Sequence, residues 1–205
     1  MPLRHLLFRC PFCGHDPMGG EADEAVCTAC GRLYQREGAA RSIRVSQGGA
    51  GGEVVSLQEL VGHIRAGGGA LASARTDRGG LSHSAPARER RSTGEEPAYL
   101  DGKVIGFFER MTEGTEGTLV LRTDGLEFRH GDSVNLWPFA RVRALQTASA
   151  SIQISLEDGS VVQFDFPEDS PYRWEELLRH SLTGWFEEQG RGRIVEFSPR
   201  ITTSG

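Results

Sequence analysis

The sequence predicts an α+β, mainly β protein: a small metal-stapled unit at the amino terminus, a tether, and a curled antiparallel sheet or barrel capped by a carboxy-terminal helix. Three observations carry this reading. Cysteines fall in two tight pairs, Cys10/Cys13 and Cys27/Cys30. Apolar residues alternate with polar ones in short segments from Tyr99 onward, the period-two mark of strands with one buried face. After Pro171 the period switches, and Trp174, Leu177, Leu178, Leu182, Trp185 and Phe186 fall on one face of a helix spanning 171–189.

The metal-binding pattern is C-x2-C, thirteen residues, C-x2-C. A two-residue gap lets both thiolates of a turn converge on one ion, and the thirteen-residue connection can return to complete a tetrahedron at about 2.3 Å. Gly14 and Gly31 follow the second cysteine of each pair, where a tight turn favours positive φ. The segment resembles the zinc-ribbon family over roughly residues 5–35. That resemblance implies two short hairpins holding one structural zinc per chain through Cys10, Cys13, Cys27 and Cys30. Four thiolates leave no open position for water, so the ion is not expected to act as a Lewis acid. His15 reads as a solvated loop residue. Asp16, Glu21, Asp23 and Glu24 make the connection acidic, which disfavours phosphate.

Residues 1–35 form the expected first domain and residues 36–98 the expected tether. The tether is rich in Gly, Ala, Ser and Arg, a composition that buries too little apolar area to order itself. One island stands out in it. Leu57, Leu60, Val61 and Ile64 have helical spacing, and Ser56 with Glu59 fits a capping box, so a short helix is expected near 57–66. The tether's arginines, Arg88, Arg90 and Arg91 included, are expected to be open to trypsin.

Residues 99–205 carry the third expected domain. Segments near 104–110, 119–122, 126–129, 133–137, 141–146, 152–156 and 162–166 read as strands, with Asp124-Gly125 and Asp158-Gly159 as hairpin turns. Arg193–Phe197 reads as an additional strand after the helix. About seven strands closed by one tryptophan-bearing helix resemble the pleckstrin-homology-like superfold, particularly its GRAM-type branch. The resemblance rests on Leu119 to Phe128, Trp137-Pro-Phe-Ala-Arg-Val142, Ile152 to Phe166 and the helix from Tyr172. It implies phosphoinositide or protein binding. The segment Glu109–Gly117, taken as the loop joining the first two strands, holds three acids and one base, which argues against a lipid head group.

Charge points the same way. The net charge is −5, divided as −1, +2 and −6 over the three segments, a poor balance for nucleic acid. No apolar run approaches the roughly 18 residues of a membrane span, and Met1–Phe8 is too short for a signal peptide core. Four cysteines in metal-site spacing fit a reducing, cytoplasmic setting. No catalytic constellation emerges. His130 and His180 stand apart, and Asp165, Glu168 and Asp169 precede a helix, where acids favour the amino terminus. The expected function is that of a non-enzymatic adaptor or regulatory protein binding a protein partner, with no small-molecule substrate. The alternatives are a transcription-associated, nucleic-acid-binding ribbon using Arg88–Arg91, or recruitment to a membrane surface.

Overall fold

A computed structural model describes residues 1–38, 41–48, 51–66, 82–148 and 150–191. The mainly β class expected from the alternation is what forms: two antiparallel sheets and one long carboxy-terminal helix. In the amino-terminal sheet, strands β1 (Glu24–Val26), β2 (Arg32–Glu37), β3 (Ser42–Gln47) and β4 (Glu53–Ser56) lie in sequence order. Helices α1 (Leu3–Leu6) and α2 (Leu57–Ala66) pack on it. The second sheet comprises β5 (His83–Leu100), β6 (Lys103–Met111), β7 (Thr115–Leu121), β8 (Gly125–His130), β9 (Ser133–Pro138), β10 (Val142–Thr147), β11 (Ser151–Leu156) and β12 (Val161–Asp165). Its order is β10-β11-β12-β5-β7-β8-β9, with β6 paired to the far half of β5.

This sheet is open at β9 and β10 but strongly curled. Four strand spacings separate β9 from β12, about 19 Å in a flat sheet. Yet the rings of Trp137 on β9 and Phe164 on β12 meet edge to face with centroids 5.3 Å apart. Helix α3 (Pro171–Glu188) fills the concave side. Its Trp174, Leu177, Leu178 and Leu182 are buried, and Phe166 stacks on Trp174. Ser170 caps the helix, its hydroxyl accepting from the Arg173 N–H at 3.2 Å, and Pro171 occupies the first turn, where its missing N–H costs nothing.

The tether expected over residues 36–98 is where structure and expectation part most. Helix α2 forms over the expected residues, and the Ser56 hydroxyl accepts from the Glu59 N–H at 3.1 Å. Around it, however, β3 and β4 complete the amino-terminal sheet, and Ile43, Leu60 and Ile64 enter the same core as Cys10 and Cys27. The unit around the cysteines therefore continues well past residue 35. More consequentially, His83–Arg91, read as tether, is the central stretch of the larger sheet, paired with β7 on one edge and β12 on the other.

The reason lies in side-chain size. Ala85, Ala87 and Glu89 are buried while Ser84, Pro86 and Arg88 are exposed, so the alternation exists, but two of its buried residues are alanines and the third is a glutamate, and none registers as strongly hydrophobic. Ala87 pairs with Gly117, where an added Cβ would come within 2.3 Å of the Arg129 carbonyl and 2.6 Å of the Phe128 ring. The acidic segment Glu109–Gly117 is likewise mostly strand, divided between β6 and β7. The strand expected at 193–197 lies outside the described residues.

Two predictions follow from this packing. Leu178→Ala is expected to cost about 2–5 kcal/mol in chemical denaturation, whereas Glu187→Ala on the exposed face changes stability by less than about 0.5 kcal/mol. In limited trypsinolysis, cleavage after Arg88, Arg90 and Arg91 is expected to be absent until global unfolding, because their backbone is held in the sheet.

Candidate metal centre

The two cysteine turns are built alike. The Cys10 N–H donates to the His15 carbonyl and the Gly14 N–H to the Cys10 carbonyl; the Cys27 N–H donates to Arg32 and the Gly31 N–H to Cys27, each bond at 2.9 Å. Gly14 and Gly31 take φ values of 75° and 71° with open space at the Cβ position, so glycine is required by conformation and not by crowding. Facing each other, these turns bring all four Sγ atoms within 4.8 Å of one another. The Cys10–Cys30 and Cys13–Cys27 separations are 3.8 and 3.5 Å. A tetrahedron with ligand bonds of about 2.3 Å has edges near 3.8 Å, so this cluster matches the size of a four-thiolate metal site and is compatible with zinc.

Two polar groups lie against the sulfurs. The Cys30 N–H points at Cys27 Sγ at 3.4 Å, and the buried Tyr34 hydroxyl lies 3.3 Å from Cys10 Sγ. Without a cation the four sulfurs cannot all ionise. Burial pushes Cys27 up and Cys13 up to about 12, the neighbouring thiols adding to the rise at Cys13. Burial works the same way at Cys30, but the Arg32 N–H and the adjacent thiols outweigh it and bring that group down to about 7. His15 is not part of the cluster; its Nε2 pairs with the Thr28 hydroxyl at 2.9 Å, as a solvated loop residue would. Beside the cluster, Phe12 is exposed and carries the Arg32 guanidinium stacked on its ring.

Sequence reasoning missed what the metal unit rests on. Its base is seated on the first turns of α3 through a charge cluster centred on Arg173. That guanidinium bonds Asp16 from the cysteine connection, Asp169 just before the helix, and the Phe8 carbonyl at 3.3 Å. Asp169 also accepts from Trp174 Nε1 at 2.9 Å and from the Ser170 N–H at 2.8 Å, and pairs with His83 Nε2 at 2.7 Å. Burial opposes its charge, yet the bonds from His83, Arg173 and Ser170 prevail and hold its carboxyl below the usual range. Asp16 is shifted the other way by burial, with Arg173 opposing. The Ser170 hydroxyl donates to the His5 carbonyl, and the almost fully buried Arg9 reaches both the Ile64 carbonyl and Glu176. Thus Asp169 does serve the helix amino terminus, but as a hub linking two units. Its one sequence signal was the Asp-Ser-Pro run.

Other candidate residues are dispersed. Asp165 pairs with Arg90, Arg88 with Glu116, and Arg91 with Glu89, so each arginine of the expected basic run already faces a carboxylate. His130 lies at the end of β8 and His180 on the exposed side of α3. Among the described residues, no helix is long and apolar enough to cross a membrane. No protein-family model matches the chain, and no curated protein matches it significantly.

Metal binding is expected to release at least about two protons per ion near pH 7, since Cys13 and Cys27 hold theirs and Cys30 is near half-ionised. Affinity therefore rises steeply with pH, which competition titration with a chromophoric chelator at several pH values measures. Arg173→Ala leaves Asp16 and Asp169 facing each other without their cation and is expected to cost about 3–5 kcal/mol, read by chemical denaturation of the metal-loaded protein.

Proposed function

We propose that this protein is a non-enzymatic adaptor of the cytoplasm, in which one structural zinc, held as thiolates by Cys10, Cys13, Cys27 and Cys30, secures a ribbon against a pleckstrin-homology-like module that binds a protein partner. The ribbon reading is supported by the paired turns and the tetrahedral spacing of the sulfurs. Four cysteine ligands complete zinc's coordination, so its role is to supply folding energy. The module reading is supported by seven sequential strands of a curled sheet, interrupted by one inserted strand and followed by a helix that fills the concave side.

One observation carries the choice of a protein partner. The far end of the β5–β6 hairpin overhangs the sheet and exposes Tyr99, Leu100, Val104, Ile105, Phe107 and Phe108, each more than half accessible. Large apolar side chains exposed together on both faces of one ribbon mark an interaction site on an otherwise charged protein. Anionic lipid suits it poorly, because Glu95, Glu96, Asp101 and Glu109 outnumber Lys103 and Arg110 around it. Nucleic acid fares no better, with Arg88, Arg90 and Arg91 already neutralised.

The reading is tested by comparing the intact chain with Phe107→Asp in partner capture from lysate, alongside sedimentation with anionic vesicles and titration with DNA or RNA. Capture that disappears in the variant, with no vesicle or nucleic-acid binding, is the expected result. Salt-dependent nucleic-acid binding or vesicle sedimentation unaffected by the substitution would replace it.

A further inference from the structure

We infer that the seam between the cysteine-bearing unit and helix α3 is pH-sensitive: in mildly acidic solution, protonation of the buried His5 imidazole loosens the hold of α1 on the start of α3. The device is independent of whatever partner the hairpin binds.

His5 lies in α1 with 5% of its surface accessible, and its Nε2, shut off from solvent, has no hydrogen-bond partner among the described residues. An imidazolium donates from both nitrogens, so protonation sets an N–H at Nε2 where no acceptor waits, and brings a charge with it. Asp169 is the carboxylate that favours the cation, but its oxygens are already engaged. Oδ1 accepts from the Ser170 N–H and from Arg173, and Oδ2 accepts from Trp174 Nε1 and pairs with His83 Nε2. Four partners take up the roughly four lone-pair sites of a carboxylate.

The other charges acting on the ring are positive: Arg4 beside it in α1 and Arg173 facing it from α3. Asp16, from the cysteine connection, and His83, from β5, join the cluster through Arg173 and Asp169 respectively. Burial above all, then Arg4 and Arg173, bring the imidazole below its ordinary 6.5, with Asp169 and the Glu168 carbonyl opposing. An opened seam thus takes up the proton before a closed one, so closure is at full strength above about pH 6.5 and weakens as the pH falls from there. Asp16 and Glu176, both raised by burial, respond in the opposite sense, because acid relieves the cost of burying their charge. His5 is well placed to transmit the change. Its carbonyl accepts from the Ser170 hydroxyl, which also caps α3 by accepting the Arg173 N–H. Displacing the ring therefore disturbs the cap and the Arg173–Asp16 bridge together.

Hydrogen exchange of the intact chain, loaded with cobalt(II) so that thiolate absorption reports an occupied cysteine site, reads the seam at each pH. The Leu3, Leu7 and Trp174 amides bond to the Ala22, Leu3 and Ser170 carbonyls. Corrected for intrinsic rates, their protection is expected to fall by about three- to tenfold from about pH 7.5 to about pH 5.5, while β11 and β12 keep theirs. In His5→Gln, which keeps a polar group, and His5→Phe, which keeps a ring, the fall is expected to shrink below about twofold; in His83→Gln it persists. The wild-type His5 ring, followed by NMR, is expected to titrate below 6.5 and in step with the loss of protection. Protection that stays flat over this range, a fall that survives in either His5 variant, a fall that tracks loss of the cobalt–thiolate absorption, or a His5 ring that titrates at or above 6.5 overturns the inference.

Discussion

Arg173 is the side chain on which both halves of the molecule depend. Two carboxylates, Asp16 and Asp169, approach each other where the cysteine-bearing unit meets helix α3, and only a cation between them makes that approach affordable. Arginine suits the position because its planar fork can serve two carboxylates and a carbonyl at once, where an ammonium would act as a point charge. Asp169 extends the network to His83 at the start of β5 and to Trp174 in the core, so three separate stretches of sequence, around Asp16, His83 and Asp169–Trp174, converge on one buried site. Breaking such a network strands charge out of water, a far larger penalty than losing an exposed pair.

The same logic orders the two cores. The amino-terminal core is small, and without help its strands and short helices would bury too little to hold together. A four-thiolate site can anchor it from one side, and α3 supplies a surface on the other, where Tyr172 packs against the same cluster. In return, the unit covers the start of α3, whose remaining turns fill the curled sheet. Metal, charge cluster and helix thus form a series in which each element is positioned by the one before.

Much of this was legible in the sequence, but unevenly. The cysteine spacing announced its geometry because metal coordination leaves few alternatives, and α3 announced itself through large apolar residues at helical intervals. Strand β5 was hidden because the buried residues it sets beside β7 include Ala85 and Ala87, so a buried strand reads like a tether of alanine and arginine. The Arg173 cluster was invisible because its members are up to 165 residues apart in the chain, and single charged residues carry no spacing signal. The hairpin did leave a trace: Tyr99-Leu100, Val104-Ile105 and Phe107-Phe108 are adjacent apolar pairs, which put greasy side chains on both faces of a ribbon that no sheet covers.

Hydrogen exchange with and without a metal chelator tests the central claim, that the cysteine site and the sheet domain are joined through the start of α3. Chelation is predicted to raise exchange both around Cys10–Cys30 and at the Arg173 and Trp174 amides, which bond to Ser170, while β11 and β12 keep their protection. Faster exchange confined to the cysteine turns, with the first turn of α3 unchanged, would contradict it.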